Sequence, residues 1–281
     1  MKLRSLLFVP GDRPERFSKA VASGADAIIL DLEDSVSTEQ KPQARLNVAK
    51  YLAQPRKSSV LVRINPLDSG LAEADLAAIL SVGSSSRPDG LMLPKAEDSK
   101  SVEKLIEIMG DNAVPILPIA SETPAAVFGL GSYKHVSAHL MGLTWGAEDL
   151  PAAIGAASSR EDDGRYTSPY EMVRALTLFG AHAAGVPAIE TVFPAISDTQ
   201  GLADYIARGR RDGFTGMMAI HPAQVEAINS GFAPSAEELA NAKKIVAAFA
   251  AQPNIGALSI DGKMIDYPHL VLARKLLERA E

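Results

Sequence analysis

The chain has 281 residues, 47% of them hydrophobic, so it is long enough for one large domain with a substantial core or for two small ones. It contains no cysteine, which excludes disulfides, thiolate catalysis and cysteine-bound zinc and favours a reducing, cytoplasmic setting. The net charge of −6 argues against general affinity for nucleic acid, and no apolar run reaches the roughly 18 residues of a membrane span.

The first 225 residues repeat one pattern: a short apolar run, then turn residues, then a longer helical stretch. Eight runs are predicted strands: Leu3–Val9, Ala27–Leu32, Val60–Ile64, Gly90–Leu93, Val114–Ile119, Ala138–Leu143, Ala188–Val192 and Gly216–Ile220. Buried strands that alternate with helices are typical of a parallel sheet. Eight such units predict an α/β fold of the (β/α)8 TIM-barrel type. An open doubly wound sheet is the alternative, but no GxGxxG follows the first strand.

The last part of the chain exceeds what a barrel needs. Ser235–Ala251 is a predicted helix that begins with a capping box formed by Ser235 and Glu238. A hairpin-like stretch and a final helix follow. We therefore predict a catalytic barrel over residues 1–225 and a C-terminal extension over residues 226–281, which serves as a lid or as an arm exchanged between subunits.

Polar residues stand at the carboxyl ends of the predicted strands, where barrels of this type carry their chemistry. They are Asp12 and Arg13, Asp31, Glu33 and Asp34, Arg63 and Asn65, Lys95, Glu122, Glu148 and Asp149, Glu190, and His221. A purely structural barrel does not need this set at one mouth. The set indicates an acidic site that holds a cation, with Arg63 and Lys95 as counter-charges.

The second predicted strand runs directly into three acids, Asp31, Glu33 and Asp34. Carboxylates this close repel one another and resist burial unless a cation lies among them. We predict Glu122 and Asp149 as direct ligands of Mg²⁺, which takes one or two carboxylates and keeps several waters. The three acids would then hold the waters of the metal or orient Arg63.

Structural roles are the alternative for these charged groups. The carboxylates stand where they can cap or begin a helix, and Arg63 can serve only as a partner of the acids after the second strand. Lys95 stands where a Schiff-base aldolase places its nucleophile. Because acids surround Lys95, we expect an ion pair instead.

Nine segments, from Arg4 to Pro268, match a known family when taken together: RSLLFVPGDRPERFSKA, ADAIILDLEDSV, VRIN, DGLMLPKAE, SETP, WGAEDL, AAGVPAIE, GMMAIHPAQVEAIN and DGKMIDYP. With them the chain resembles the HpcH/HpaI aldolase and citrate lyase β-subunit-like family, in its citramalyl-CoA and malyl-CoA lyase-like branch. The resemblance implies a TIM barrel whose C-terminal extension reaches a neighbouring subunit, usually in a homotrimer. It also implies cleavage or formation of a carbon–carbon bond in a 3-hydroxyacyl thioester. The reaction would depend on Mg²⁺, with Mn²⁺ as the alternative metal.

The resemblance also implies roles for single residues. Glu122 of SETP and Asp149 of GAEDL would be the metal ligands, and Arg63 of VRIN would bind the oxo-acid or the developing enolate. Asp266 of the MID motif would be the catalytic acid or base, supplied by the adjacent subunit. The chain has Glu190 where many members have Asp, a departure expected to alter the pocket next to the metal.

A basic segment after the first strand carries Arg13, Arg16 and Lys19, of which the last two share a helical face. We predict that these three side chains bind the phosphates of coenzyme A, which suits a thioester substrate on an acidic protein. A solvated basic face is the alternative.

The leading prediction is a carbon–carbon lyase that joins or separates acetyl-CoA and a small oxo-acid. The alternatives are a citrate lyase β subunit acting on a citryl carrier-protein thioester and a metal-dependent aldolase acting on free 2-oxo acids. A structural subunit with a degenerate barrel is a further alternative. It conflicts with the presence of Glu122, Asp149 and Arg63 where the family pattern needs them.

Overall fold

The computed structural model describes residues 2–81, 83, 86–252 and 255–280. Within them the chain forms two compact units, one ending at Phe232 and the other beginning at Ala233. No helix in the described part of the chain is long and apolar enough to cross a membrane.

Eight parallel strands form the sheet of the first unit in the order β5-β4-β3-β2-β1-β8-β7-β6. Their bounds are β1 Ser5–Pro10, β2 Ala27–Asp31, β3 Ser59–Arg63, β4 Gly90–Leu93, β5 Ile116–Pro118, β6 Leu143–Thr144, β7 Ala188–Glu190 and β8 Gly216–Ala219. Single bridges, Ile116 to Leu140 and Ile119 to Thr144, join the two ends of this order. The sheet is therefore a nearly closed barrel, the predicted TIM barrel is confirmed, and the open-sheet alternative is wrong.

Helices follow the strands as the alternating pattern predicts. In the first unit they are α1 Phe17–Ala22, α2 Lys41–Leu52, α3 Ala72–Leu80, α4 Ser99–Met109, α5 Pro124–Gly129, α6 Asp149–Ile154, α7 Ser168–Ala184, α8 Thr199–Asp212 and α9 Val225–Phe232. Two further helices, α10 Ala236–Ala251 and α11 Tyr267–Ala280, belong to the second unit.

Side chains on the two faces of the strands belong to two different apolar clusters, because successive side chains in a strand point to opposite sides. Leu6, Ile29 and Leu61 belong to a small cluster inside the barrel. Leu7 and Ile28, their neighbours in sequence, belong to the larger cluster between strands and helices. This double burial explains why the strands read as continuous apolar runs rather than as alternating ones.

The sixth strand differs from its prediction. The apolar run Ala138–Leu143 was expected to form it, but β6 comprises only Leu143–Thr144, and residues Leu130–His139 form a helical stretch instead. The chain between them is extended and makes a single bridge, with Met141 N donating to Ile116 O at 2.9 Å. An apolar run this short does not distinguish strand from buried helix by composition alone.

The amino end of the barrel is held by polar contacts that lie away from the predicted site. Arg4 donates two side-chain hydrogen bonds to Asp26, at 2.8 and 2.7 Å. Ser5 Oγ donates to Asn229 Oδ1 of α9 at 2.7 Å. Helix α9 packs on β1, β8 and α8. The barrel unit therefore runs seven residues beyond the predicted boundary at residue 225, to Phe232.

The second unit has its own small core, formed by Ala242, Ile245, Phe249, Leu270 and Ala273. The predicted capping box at the start of α10 is confirmed. An antiparallel hairpin, β9 Ala257–Ile260 and β10 Lys263–Asp266, turns through Asp261 and Gly262. Both turn residues have positive φ, 52° and 75°, as a two-residue Asp-Gly turn requires. The role of this unit as a lid or exchanged arm stays a prediction.

Candidate active site

The site begins with an ion pair that the strand register sets. Asp31 and Arg63 end β2 and β3 and are direct partners across the sheet. Alternation places Asp31 on the face of Ile29, inside the barrel. Arg63 Nε donates to Asp31 Oδ1 at 2.7 Å and Nη2 donates to Oδ2 at 2.6 Å, while the guanidinium lies 4.9 Å from the centre of the Phe8 ring. Burial alone would raise the pKa of Asp31, but these hydrogen bonds hold it below its usual range.

Glu33 lies in the turn after β2 and bridges two cations. Its Oε1 accepts a hydrogen bond from Lys95 Nζ at 3.0 Å, and its Oε2 lies 2.6 Å from Arg63 Nη1 without hydrogen-bond alignment. Burial raises the pKa of Glu33 in spite of both cations. Asp34, the third acid of this segment, is exposed and acts on Glu33 only as a nearby like charge.

Lys95 connects the acids after β2 with the predicted metal ligands. Its φ of +51° is in the left-handed region, which is uncommon for a residue other than glycine. Its backbone N–H donates to Glu122 Oε2 at 2.6 Å, while its ammonium lies 3.0 Å from Glu33 and 3.7 Å from Asp149. Although burial opposes the charge, the hydrogen bond to Glu33 raises the pKa of Lys95. A protonated ammonium favours the ion-pair interpretation over a Schiff-base nucleophile.

Glu122 and Asp149 stand at the carboxyl ends of neighbouring strands. Glu122 is buried in the turn between β5 and α5, and Asp149 is the first residue of α6, with its side chain 34% exposed. Burial, then repulsion from Asp149 and Glu33, raises the pKa of Glu122 to about 8, against the hydrogen bond from Lys95 N. Two carboxylates that repel each other in this way are a place where a cation is stabilised.

The donor set fits Mg²⁺. Among the described residues no group of three His, Cys, Asp or Glu side chains forms a metal cage. Mg²⁺ needs no such cage, because it is commonly held by one or two carboxylates, with water and substrate completing the shell. Beside Glu122 the chain has Gly146, where a Cβ atom would lie 3.0 Å from Glu122 Cγ and 3.3 Å from Oε1. The glycine thus keeps the space next to this carboxylate open.

Glu190 does not point into the barrel mouth, so its predicted place there is wrong. The preceding residue, Ile189, belongs to the inner cluster, so alternation turns Glu190 toward the helices. Its carboxylate accepts hydrogen bonds from Trp145 Nε1 at 2.5 Å, from Tyr205 OH at 2.9 Å and from Arg174 Nε at 2.7 Å. Through Trp145, Glu190 therefore stabilises the segment between β6 and Asp149 from the helix side of the strands.

The basic segment after β1 lies on the surface. Arg13, Arg16 and Lys19 are exposed, and the two arginines approach only Asp12 and Glu15, at 3.7 and 4.0 Å. The structure does not bring these three side chains into the cluster around Arg63. Their contact with coenzyme A stays a prediction.

Asp266 ends β10 in the second unit, and its carboxylate has a partner that sequence reasoning missed. His269 Nδ1 lies 2.5 Å from Asp266 Oδ1, and this contact lowers the pKa of Asp266. The spacing of three residues at the start of a helix was the available signal. His221, in contrast, caps the short helix Pro222–Gln224, as a structural residue at the end of β8 would.

Two cavities of the barrel unit differ in their relation to the cluster. One, of about 400 Å³, is lined by Lys95 together with Thr123, Lys100 and Lys104, so it opens beside the predicted site. A larger one, of about 550 Å³, lies around Tyr166 and contains none of the predicted site residues in its lining.

Comparisons with known proteins identify the family of the chain. The profile of the HpcH/HpaI aldolase/citrate lyase family matches residues 4–222. The chain belongs to this family. The predicted family and the predicted enzyme class, a lyase, are confirmed.

Relatives cover almost the whole chain. A citrate lyase subunit beta-like protein of Mycobacterium tuberculosis is 36% identical over 274 residues, which cover 98% of this chain and 94% of that protein. A (3S)-malyl-CoA thioesterase of Cereibacter sphaeroides is 33% identical over 291 residues, covering 99% and 94%. The crystal structure of CitE from Mycobacterium tuberculosis in complex with magnesium, acetoacetate and coenzyme A superposes with a TM-score of 0.82 at 34% identity, covering 99% and 98%. The magnesium in that complex agrees with the cofactor predicted from the sequence.

Proposed function

We propose that this protein is a Mg²⁺-dependent carbon–carbon lyase that cleaves or forms a 3-hydroxyacyl-CoA thioester such as malyl-CoA or citramalyl-CoA. The observation that carries the proposal is the linked cluster at the barrel mouth. There a buried arginine and a charged lysine lie among carboxylates, next to the repelling pair Glu122 and Asp149. Relatives named for citrate lyase and malyl-CoA, and the CitE complex with magnesium and coenzyme A, support it.

Glu122 and Asp149 would hold the metal. A Mg²⁺ ion held by these two carboxylates would supply Lewis-acid stabilisation of the oxo-acid carbonyl. Lys95 N–H keeps Oε2 of Glu122 in place, and the Lys95 ammonium lies beside Asp149. These contacts orient the ligands rather than supply further ones.

Arg63 supplies the fixed positive charge for the developing enolate or for the oxo-acid. Two hydrogen bonds to Asp31 and the Phe8 ring fix its plane. A charge that is already oriented stabilises a transition state without reorganisation, as an oxyanion hole does.

Asp266 is the proposed acid and base, supplied by an adjacent subunit. In cleavage its carboxylate takes the proton of the 3-hydroxyl group while the bond between C2 and C3 breaks. The bond's electron pair passes to the thioester as an enolate, and C3 becomes the carbonyl of the oxo-acid. Return of the proton to the enolate carbon gives acetyl-CoA, so atoms and charge balance.

The test is product analysis with L-malyl-CoA and citramalyl-CoA, in Mg²⁺ and in EDTA. We expect acetyl-CoA with glyoxylate or with pyruvate in Mg²⁺ only. Asp149→Asn should abolish turnover and weaken Mg²⁺ binding, whereas Glu148→Gln, at the exposed neighbouring carboxylate, should preserve both. Free coenzyme A with intact malate would instead identify thioester hydrolysis. Turnover in EDTA, or near-normal turnover by Asp149→Asn, would refute the metal assignment.

A carrier-protein thioester and a free 2-oxo acid are the competing substrates. Both are compared in the same assay. Cleavage of only a citryl carrier protein, or aldol cleavage without any thioester, would replace the proposed substrate class.

A further inference from the structure

A buried lysine lies beneath the turn that carries Glu33. Lys41, the first residue of α2, is only 8% exposed. Its ammonium donates three hydrogen bonds, to Leu32 O at 2.8 Å, to Glu33 O at 2.9 Å and to Asn65 Oδ1 at 2.7 Å. All three N–H groups of the ammonium are thereby used.

The lysine is itself held by a second layer of buried polar groups. Asn65 Nδ2 donates to Leu32 O at 2.9 Å and to Asp75 Oδ2 at 2.7 Å. Asp75, which is fully buried, also accepts from Arg45 Nε at 2.6 Å. Every link in this chain of contacts is a hydrogen bond of ordinary length, so the position of the lysine is fixed by α2, α3 and the end of β3.

The turn after β2 is held from two sides. Glu33 N donates to Asp31 Oδ1 at 2.9 Å, and Glu33 O accepts from Lys41. With both backbone groups of Glu33 engaged, its side chain leaves the turn from a fixed point. It reaches the position where Lys95 and Arg63 lie 3.0 and 2.6 Å from its two oxygens.

A structural role alone does not explain a lysine at this place. Burying an ammonium costs more than burying an apolar side chain of similar volume, and apolar replacements of buried charges are often neutral or stabilising. The ammonium supplies three donors that a methionine lacks: two hold the consecutive carbonyl oxygens of Leu32 and Glu33, and the third binds Asn65 Oδ1.

We propose that Lys41 is a positioning residue for the lyase site, acting through the backbone of Leu32 and Glu33 to hold Glu33 between Arg63 and Lys95. The inference deepens the proposed function and rests on it. Lys41 does not touch substrate or metal in this scheme. Through the turn it keeps the Glu33 carboxylate beside Arg63, the residue that binds the oxo-acid in the proposed function.

The test compares Lys41→Met with Asp26→Asn. Lys41→Met should lower kcat/KM by about 10–100-fold, the usual loss for a partner that orients a site. It should weaken binding of pyruvate or glyoxylate, measured by calorimetry with Mg²⁺ present, by about tenfold or more. Mg²⁺ binding alone should change less than oxo-acid binding, because Lys41 contacts neither Glu122 nor Asp149. Asp26→Asn removes the negative charge and one of the two acceptors of a partly buried contact with Arg4 at the opposite end of the barrel, so it should lower Tm while leaving kcat/KM unchanged.

Coupling to Glu33 separates positioning from general destabilisation. If Lys41 acts through Glu33, adding Lys41→Met to Glu33→Gln should cause little further loss of oxo-acid affinity. Fully additive losses, or an unchanged oxo-acid affinity in Lys41→Met, would overturn the inference. Lys41→Gln, which retains two N–H donors, serves if the methionine variant does not fold, with an intermediate loss expected.

The two proposals fail in different ways. Absence of wild-type turnover on every thioester would refute the proposed function. The calorimetric comparison of oxo-acid binding by the wild type and Lys41→Met still decides the role of Lys41. Normal wild-type turnover with an unaffected Lys41→Met variant refutes only the positioning role.

Discussion

Arg63 shows how a single residue obtains its role from the residues around it. A lysine would carry the same charge. The two parallel hydrogen bonds to Asp31, however, need the planar guanidinium of an arginine. Asp31 and Glu33 both lie beside it, so the guanidinium that we propose binds the substrate is already oriented before substrate arrives.

Arg63→Lys should therefore be far more harmful than conservation of charge suggests. We expect kcat/KM to fall by about 100-fold, because an ammonium cannot make both hydrogen bonds to Asp31 and keep the position of the guanidinium. Steady-state kinetics with citramalyl-CoA measures the change.

Arg4→Lys is the matched control, since Arg4 makes the same two-bond contact with Asp26 at the amino end of the barrel. It should lower Tm and leave kcat/KM near the wild-type value. Equal kinetic losses in the two variants would indicate that Arg63 serves the fold and not the reaction.

For charged residues at the carboxyl ends of strands, the sequence was enough to predict that they would lie close together. Asp31, Arg63, Lys95 and Glu122 fall at such ends, and the structure brings them together. Lys41 was missed because nothing in the local sequence marks a lysine at a helix start as buried. Its burial depends on Asn65 and Asp75, which are distant along the chain.

Among the elements, β7 is tied to two helices and to the segment after β6 through one carboxylate. Glu190 is fully buried, and its partners belong to α7, α8 and the segment that follows β6. Arg174 in turn pairs with Asp212 at 2.7 Å. The contacts join β7 to the helices on either side of it in sequence and to the more distant segment after β6.

Glu190→Gln should destabilise the barrel by about 3 kcal/mol, because it leaves the buried Arg174 with one carboxylate instead of two. The free energy of unfolding in urea measures the effect. Glu171→Gln is the control, since the Glu171 pair with Arg208 is partly exposed and should contribute less than about 1 kcal/mol. A loss for Glu190→Gln as small as that of the control would show that the buried pair adds little to stability.

Element boundaries were the weakest part of the sequence prediction, for physical reasons. The sixth strand was predicted too long, since an apolar run gives burial but not backbone conformation. The predicted boundary between residues 225 and 226 falls just after the first residue of α9. The contacts of α9 with β1, β8 and α8, which local sequence does not reveal, attach that helix to the barrel.

For the whole molecule, the barrel was predictable because eight repeats of one pattern leave few alternative topologies. Closure of the barrel was less predictable from the sequence, because it depends on two single bridges at and beside β5 and β6. The relation of the second unit to the site follows from no pattern in the sequence. It stays a prediction.

Mixing two inactive variants tests whether a site is shared between chains. Arg63→Ala and Asp266→Ala should each be inactive alone. If Arg63 of one chain acts with Asp266 of another, random mixed oligomers should regain about a quarter of wild-type activity, the fraction of sites to which one chain contributes an intact Arg63 and the other an intact Asp266. Refolding equal amounts together and measuring lyase activity gives the answer.

Arg63→Ala mixed with Arg63→Ala/Asp266→Ala is the matched control and should regain nothing. No recovery in the first mixture, with both variants shown to co-assemble, would place both residues of a site in one chain.

The contacts of Arg4, Ser5 and Asn229 at the amino end of the barrel have a consequence for how such a protein changes over generations. They secure the fold at the rim opposite the charged mouth, so the two rims can accumulate substitutions at separate rates. A lineage can reshape the mouth for a new oxo-acid while the opposite rim preserves the scaffold. Conversely, a laboratory search for more thermostable variants can begin at that rim with little risk to turnover.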